Sequence, residues 1–322
     1  MKSDRLKDYL KYKLDSIVFI ELAPGALGGR LEGVPIPVGE DDAKDFAESG
    51  LDVSSIAKTM TTVIGADPSF VYVPAYIGFL RDVFDEKLVG IICSDGVKAI
   101  EAGEPKEACI SFRAALALDP DDADAMYGYA RACRDVYSDS EDEMEIGCFK
   151  AESIEYFEKL TIEHPEAAEA HYYLGYGYRN MGLYIKAELA FRDYLKLVPE
   201  GGESAEVRER LAQLRDPVEI EKGCNHVIAG RYDKGISVLE KFLDTGAKTW
   251  WPLHYYLGVA YRMAGDDESA VERLKNVLRL NASHAETMDE LAEIYAEAGE
   301  KDMAEKYRRK AALVRSGISD AQ

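Results

Sequence analysis

A string recurs within this chain: "HYYLGYGYRNMG" at residues 171–182 returns as "HYYLGVAYRMAG" at 254–265. Such repetition limits the fold more than any local propensity does, because a recurring unit cannot bury its own apolar side and must stack on its neighbours. Aligned on Leu174 and Gly175, the first copy runs on through Tyr178, Gly182, Ala187, Phe191 and Pro199. Parts of the same series return in five other stretches. Residues 89–122 supply Gly96, Gly103, Ala108, Phe112, Ala115 and Pro120, and residues 123–167 supply Ala130, Ser153, Phe157 and Pro165. A weaker copy at 216–249 has Gly223, Gly230, Gly235, Leu239 and Phe242. The copy at 251–284 has Leu257, Gly258, Tyr261, Gly265 and Ala270, and that at 285–318 has Leu291, Ala292, Tyr295, Gly299, Ala304 and Ala311.

The series reads as two antiparallel helices. Small residues at Gly175 and Ala187 let the helices approach, Tyr178 and Phe191 fill the seam, Gly182 ends the first helix and Pro199 the second. It resembles the tetratricopeptide repeat family, whose pattern of about 34 residues has L-G-x-x-Y in its first helix and A-x-x-x-F then P in its second. The resemblance implies an all-α fold: a right-handed α-solenoid of about six helix-turn-helix repeats, here over 89–318 with the third copy at 168–201. It also implies a concave surface that receives protein partners.

Three departures interrupt the pattern. "DVYSDSEDEME", Asp135 to Glu145, enlarges the second repeat with acid and serine and is expected to be a solvated loop or helix extension, with an acidic docking loop as the other reading. "SAEVRERLAQL" predicts an extra helix over 204–215, opened by Ser204 and closed by Pro217. In the last copy Arg308 stands where the family has Phe, which suits a polar cap.

Residues 1–88 match the repeat poorly and are expected to form a mainly helical N-terminal module. Leu6, Leu10, Leu14, Ile17 and Ile20 are helically spaced, as are Val53, Ile56, Met60 and Val63, and Tyr72 to Phe84 carries a continuous apolar stripe. A helix is also expected in "DDAKDFAES", and Val34, Ile36 and Val38 alternate as in a short extended piece. The glycines at 25, 28, 29 and 33 match no phosphate-binding pattern and read as a loop.

A net charge of −21 opposes nucleic acids and anionic membranes, whose recognition depends on Lys and Arg. The longest unbroken apolar run of the first 22 residues is "IVFI", too short for a signal or a span, and the five cysteines form no C-x-x-C pair, so the expected location is cytoplasmic. No nucleophile, zinc or nucleotide motif occurs, so no enzyme activity, cofactor or metal is expected. His171 and His254 stand where the repeat carries a large apolar side chain and are expected to pack in the core.

The resemblance places partner-facing residues on the first helix of each pair. At those offsets lie Tyr127, Arg131 and Arg134 in the second repeat, Tyr172, Tyr176 and Arg179 in the third, and Tyr255 and Arg262 in the fifth. Three repeats thus hold Tyr and Arg seven residues apart, two helical turns and one face. Tyr and Arg are the side chains enriched at binding hot spots, and clustered arginines suit an acidic segment or a C-terminal carboxylate. The expected function is a protein-interaction scaffold or adaptor. A second reading makes the N-terminal module a ligand sensor or small enzymatic domain presented by the repeats, and a third is self-association through the terminal helices.

Overall fold

The computed structural model describes residues 4–23, 25–40, 52–84 and 87–317, and among these helical hairpins dominate. The expected helix at 41–49 lies outside the described residues. The chain divides into two compact units, residues 1–177 and 178–322.

The first unit opens with α1 (Lys7–Leu10), a 3₁₀ segment (Lys11–Ser16) and strand β1 (Ile17–Ile20). The helical spacing through Ile20 therefore misleads: helix gives way to strand at Ile17. The reason is a partner, since the β-branched and aromatic residues Ile17 to Ile20 pair antiparallel with β2 (Ile36–Gly39), Ile17 opposite Gly39 and Ile20 opposite Ile36. Helices α2 (Val53–Ala66) and α3 (Val73–Val83) follow, the first capped by Asp52, which accepts from the amides of Ser54 and Ser55. Then come α4 (Lys87–Glu101), α5 (Pro105–Leu118), α6 (Ala123–Asp139) and α7 (Glu143–Glu163), paired as two hairpins. Helix α8 (Ala168–Asn180) crosses the division between the units.

Phe112 of α5 shows what the small residues do. It is fully buried, and a β-carbon added at Gly96 or Gly128 would fall 2.8 or 2.3 Å from its ring. Glycine on α4 and α6 thus admits one large ring between three helices. In the next hairpin buried Ser153 replaces alanine and donates to the Ala130 carbonyl at 2.8 Å, so the hydroxyl is satisfied without widening the seam. The acidic insertion is a helix extension. It prolongs α6 and starts α7, and Asp142 caps the latter by accepting from the Met144 amide at 2.8 Å.

The second unit holds α9 (Tyr184–Leu197), α10 (Gly202–Ile228), α11 (Tyr232–Leu239), α12 (Trp251–Met263), α13 (Asp267–Leu280), α14 (Ala285–Glu297) and α15 (Lys301–Ser316). The turn glycines are uniform: Gly182, Gly230, Gly265 and Gly299, like Gly103 in the first unit, have φ between 72° and 84°. In the turn at Gly182 the Leu183 amide reaches back to the Tyr178 carbonyl at 2.9 Å, and in the turn at Gly299 the Glu300 amide reaches Tyr295 at 2.8 Å. These are Schellman closures, which need the left-handed backbone that glycine adopts without strain.

The separate helix expected over 204–215 does not exist as such. Helix α10 runs 27 residues without a break and contains Pro217, while Ser204 sits one turn inside, where its hydroxyl accepts from the Gly201 amide at 2.9 Å. Leu214, Val218 and Ile220 are buried on both sides of the proline, and that packing outweighs the lost hydrogen bond. Pro217→Ala should restore that bond and raise stability by about 1 to 2 kcal/mol, read from urea denaturation. A loss of stability would show that the ring itself packs usefully. Gly223 and Gly235 account for the weak fourth copy: β-carbons there would lie 2.6 Å from Leu239 and 2.4 Å from Val227, so α10 and α11 cross too closely for alanine.

Candidate functional site

Tyr127 and Arg134 of the second repeat and Tyr172 and Tyr176 of the third come together in the first unit, on α6 and α8 beside Phe157 of α7. Buried Phe157 stacks on Tyr173 at 5.2 Å between ring centres and 17° between planes. Tyr127 lies 6.3 Å from each of those rings. Tyr172 meets Tyr173 edge-on at 5.4 Å and Tyr176 at 4.9 Å. The Arg134 guanidinium covers the Tyr173 ring at 5.2 Å and donates to Asp135 at 3.3 Å. The tyrosines are half-buried and Arg131 is exposed.

Burial governs the electrostatics here. It pushes the Tyr127 phenol above its ordinary range, so this ring stays neutral and able to donate. It also raises the Asp135 carboxyl, although Arg134 and Arg131 both pull that group down. Arg134 and Arg131 thus share the Asp135 carboxylate, with Asp139 also close enough to act on it.

Sequence reasoning missed Tyr173, the ring at the centre of the cluster, and Phe157 beneath it. The signal was the doubled tyrosine in "HYYLG": stepping by helical offsets selected Tyr172 and passed over its neighbour. Arg179 belongs to the second unit, where it donates to the Asn180 side chain at 3.4 Å.

The fifth repeat differs. Arg262 is mostly buried, and its guanidinium contacts Glu290 at 2.6 Å, Glu293 at 2.8 Å and Glu297 at 3.2 Å, all from α14. Hydrogen bonds to these carboxylates outweigh burial and raise its pKa. Arg262 is thus engaged by three carboxylates of its own chain. Tyr255 stands beside His284 at 4.9 Å, and burial and the carboxylates of Glu290, Glu286 and Asp289 push its phenol up to about 12. The face at Tyr255 is acidic.

The recurrent histidine is an anchor. His171 Nε2 meets the Pro165 carbonyl at 3.1 Å and His254 Nε2 meets Lys248 at 2.8 Å, six residues back each time, pinning the turn that precedes its helix. His254 is buried as expected, whereas His171 is only half-buried.

Three clefts lie elsewhere in the first unit. One of about 840 Å³ is lined by Arg81, Phe84, Leu88 and Leu118, and one of about 330 Å³ by Arg5, Arg113 and Glu152. In a third, of about 520 Å³, Lys13 and Lys106 are taken by Glu107 at 2.7 Å and Glu145 at 2.6 Å. The glycine-rich loop lines none of these three: residues 26–29 form a 3₁₀ turn and 36–39 a strand. Among the described residues no three His, Cys, Asp or Glu side chains are placed to hold a metal, and no helix is long and apolar enough to cross a membrane.

Paired antiparallel helices, glycine-closed turns and aromatic residues on the first helices define a helical-hairpin repeat protein. The hairpins resemble tetratricopeptide repeats, and the family model described as "Tetratricopeptide repeat" matches residues 96–135 and 150–202. No curated protein matches the chain. Similar solved structures include the P58(IPK) TPR domain, 20% identical, with 72% of this chain and 61% of that one covered at a TM-score of 0.40. A tetratricopeptide repeat protein from Parabacteroides merdae is 18% identical over 86% of this chain and 95% of that one, at a TM-score of 0.33. The pilF protein of Pseudomonas aeruginosa is 16% identical over 69% and 89%, at a TM-score of 0.32.

Proposed function

We propose that this chain is a non-catalytic scaffold or adaptor that holds a protein partner on the first helices of its second and third repeats. One observation carries the reading: Tyr127, Tyr172, Tyr173 and Tyr176 gather with Arg131 and Arg134 on α6 and α8, beside Phe157. Half-buried tyrosines provide apolar area at small entropic cost, and the guanidinium groups provide directional donors for carboxylates. The partner segment is acidic or ends in a free carboxylate, and the rings cover its apolar side chains. Five free cysteines suit a reducing, cytoplasmic setting.

The test titrates the full chain with short labelled acidic peptides, their C-termini free or amidated, and follows anisotropy at several salt concentrations. Tyr173→Ala is expected to weaken binding about 10- to 100-fold, as removal of a central aromatic anchor does. Paired Arg131→Ala and Arg134→Ala changes should lower affinity and flatten the salt dependence. Unchanged affinity in both variants, with helicity intact, would sink the assignment.

A further inference from the structure

Five cysteines occupy the chain, and two of them touch. Cys109 of α5 and Cys133 of α6 are both fully buried, with Sγ atoms 3.7 Å apart across a separation of 24 residues. The contact joins the second helix of one repeat to the first helix of the next. Cys93 and Cys224 are buried as well, but no other sulfur–sulfur contact occurs among the described residues.

We propose that Cys109 and Cys133 form an oxidation site, a latent disulfide that ties the first repeat to the second. A disulfide needs its sulfurs at about 2.05 Å, so the two must close by about 1.6 Å, within reach of side-chain rotation across a packed seam. The oxidant is a low-molecular-weight disulfide such as oxidised glutathione. One thiol, as thiolate, attacks it and releases one glutathione thiol, and the mixed disulfide is then attacked by the second cysteine, releasing the other glutathione. Two protein thiols lose two electrons and two protons, and one small disulfide gains them.

Burial sets the conditions. It holds the Cys133 thiol well above its ordinary range, so thiolate is scarce at neutral pH and exchange waits on local opening of the α5–α6 seam. Alkaline pH and mild denaturant should therefore speed the reaction. Exposed thiols behave in the opposite manner, reacting at once and without denaturant. The site stands on the thiol contact alone and is independent of the partner reading above.

The experiment incubates the full reduced chain with oxidised glutathione at pH 8.5 in mild urea, then alkylates the remaining thiols and maps peptides by mass spectrometry. The expected product is a cross-linked peptide pair joining Cys109 and Cys133, about 2 Da lighter than the two thiols, and a Tm higher by about 5 °C that dithiothreitol reverses. Cys109→Ser should abolish the cross-link and the Tm rise together. If that variant fails to fold, the peptide map of the unaltered chain decides alone. Alkylated Cys109 and Cys133, separate glutathione adducts on either, or a bond to another cysteine would overturn the proposal.

Discussion

Gly65→Ala is expected to remove about 3 kcal/mol or more of stability from the first unit, more than most single substitutions cost. A β-carbon at Gly65 would sit 2.0 Å from the Ile110 carbonyl oxygen and 2.7 Å from its carbon. The obstacle is backbone, which no rotamer change relieves, so α2 and α5 would have to move apart. Around this contact Ile64, Ala66 and Ile110 are buried, and separation would expose apolar surface at about 25 cal/mol per Å². Urea unfolding followed by circular dichroism reads the loss directly. A change under about 0.5 kcal/mol, the size of a neutral surface substitution, would show that the helices approach less closely.

Arg262→Ala is expected to cost about 2 to 3 kcal/mol in the second unit. Removing one member of a buried ion pair costs roughly 3 to 5 kcal/mol, and the lower figure follows from solvent at the partners. Glu290 is 26% exposed, but Glu293 and Glu297 are 60% and 65% exposed, so water screens part of what the guanidinium supplied. Its loss leaves three carboxylates repelling one another along α14. The destabilisation should shrink as salt rises from about 0.05 to 0.5 M, because the Debye length falls well below the spacing of the charges. A salt-independent loss would mean that Arg262 acts through the packing of its methylenes instead. Its binding counterpart is equally clear: no acidic peptide should lose affinity through this change.

The two predictions rest on features that differ in how plainly they appear in the chain. Leu174, Gly175, Tyr178, Ala187 and Phe191 recur at fixed spacing, and such spacing states which side chains face the partner helix. Turn glycines were equally plain. The strand at Ile17–Ile20 was not, since an apolar run that short fits helix and strand alike until Ile36–Val38 supplies the opposite edge. Pro217 read as a stop, and buried neighbours on both sides carried the helix through it.

The candidate site shows the same division more sharply. Tyr and Arg seven residues apart mark three repeats, and local periodicity alone put each pair on one helix face. What each arginine does there was decided by helices distant in sequence. Arg134 lies over Tyr173, contributed by α8, whereas Arg262 is enclosed by three glutamates of α14. The sequence by itself determined a chain of helical hairpins with a Tyr–Arg stripe on its first helices. Only the tertiary structure distinguished an arginine laid over a tyrosine ring from one held by three glutamates, because a guanidinium responds to the groups within a few ångströms of it, and packing brings those groups there.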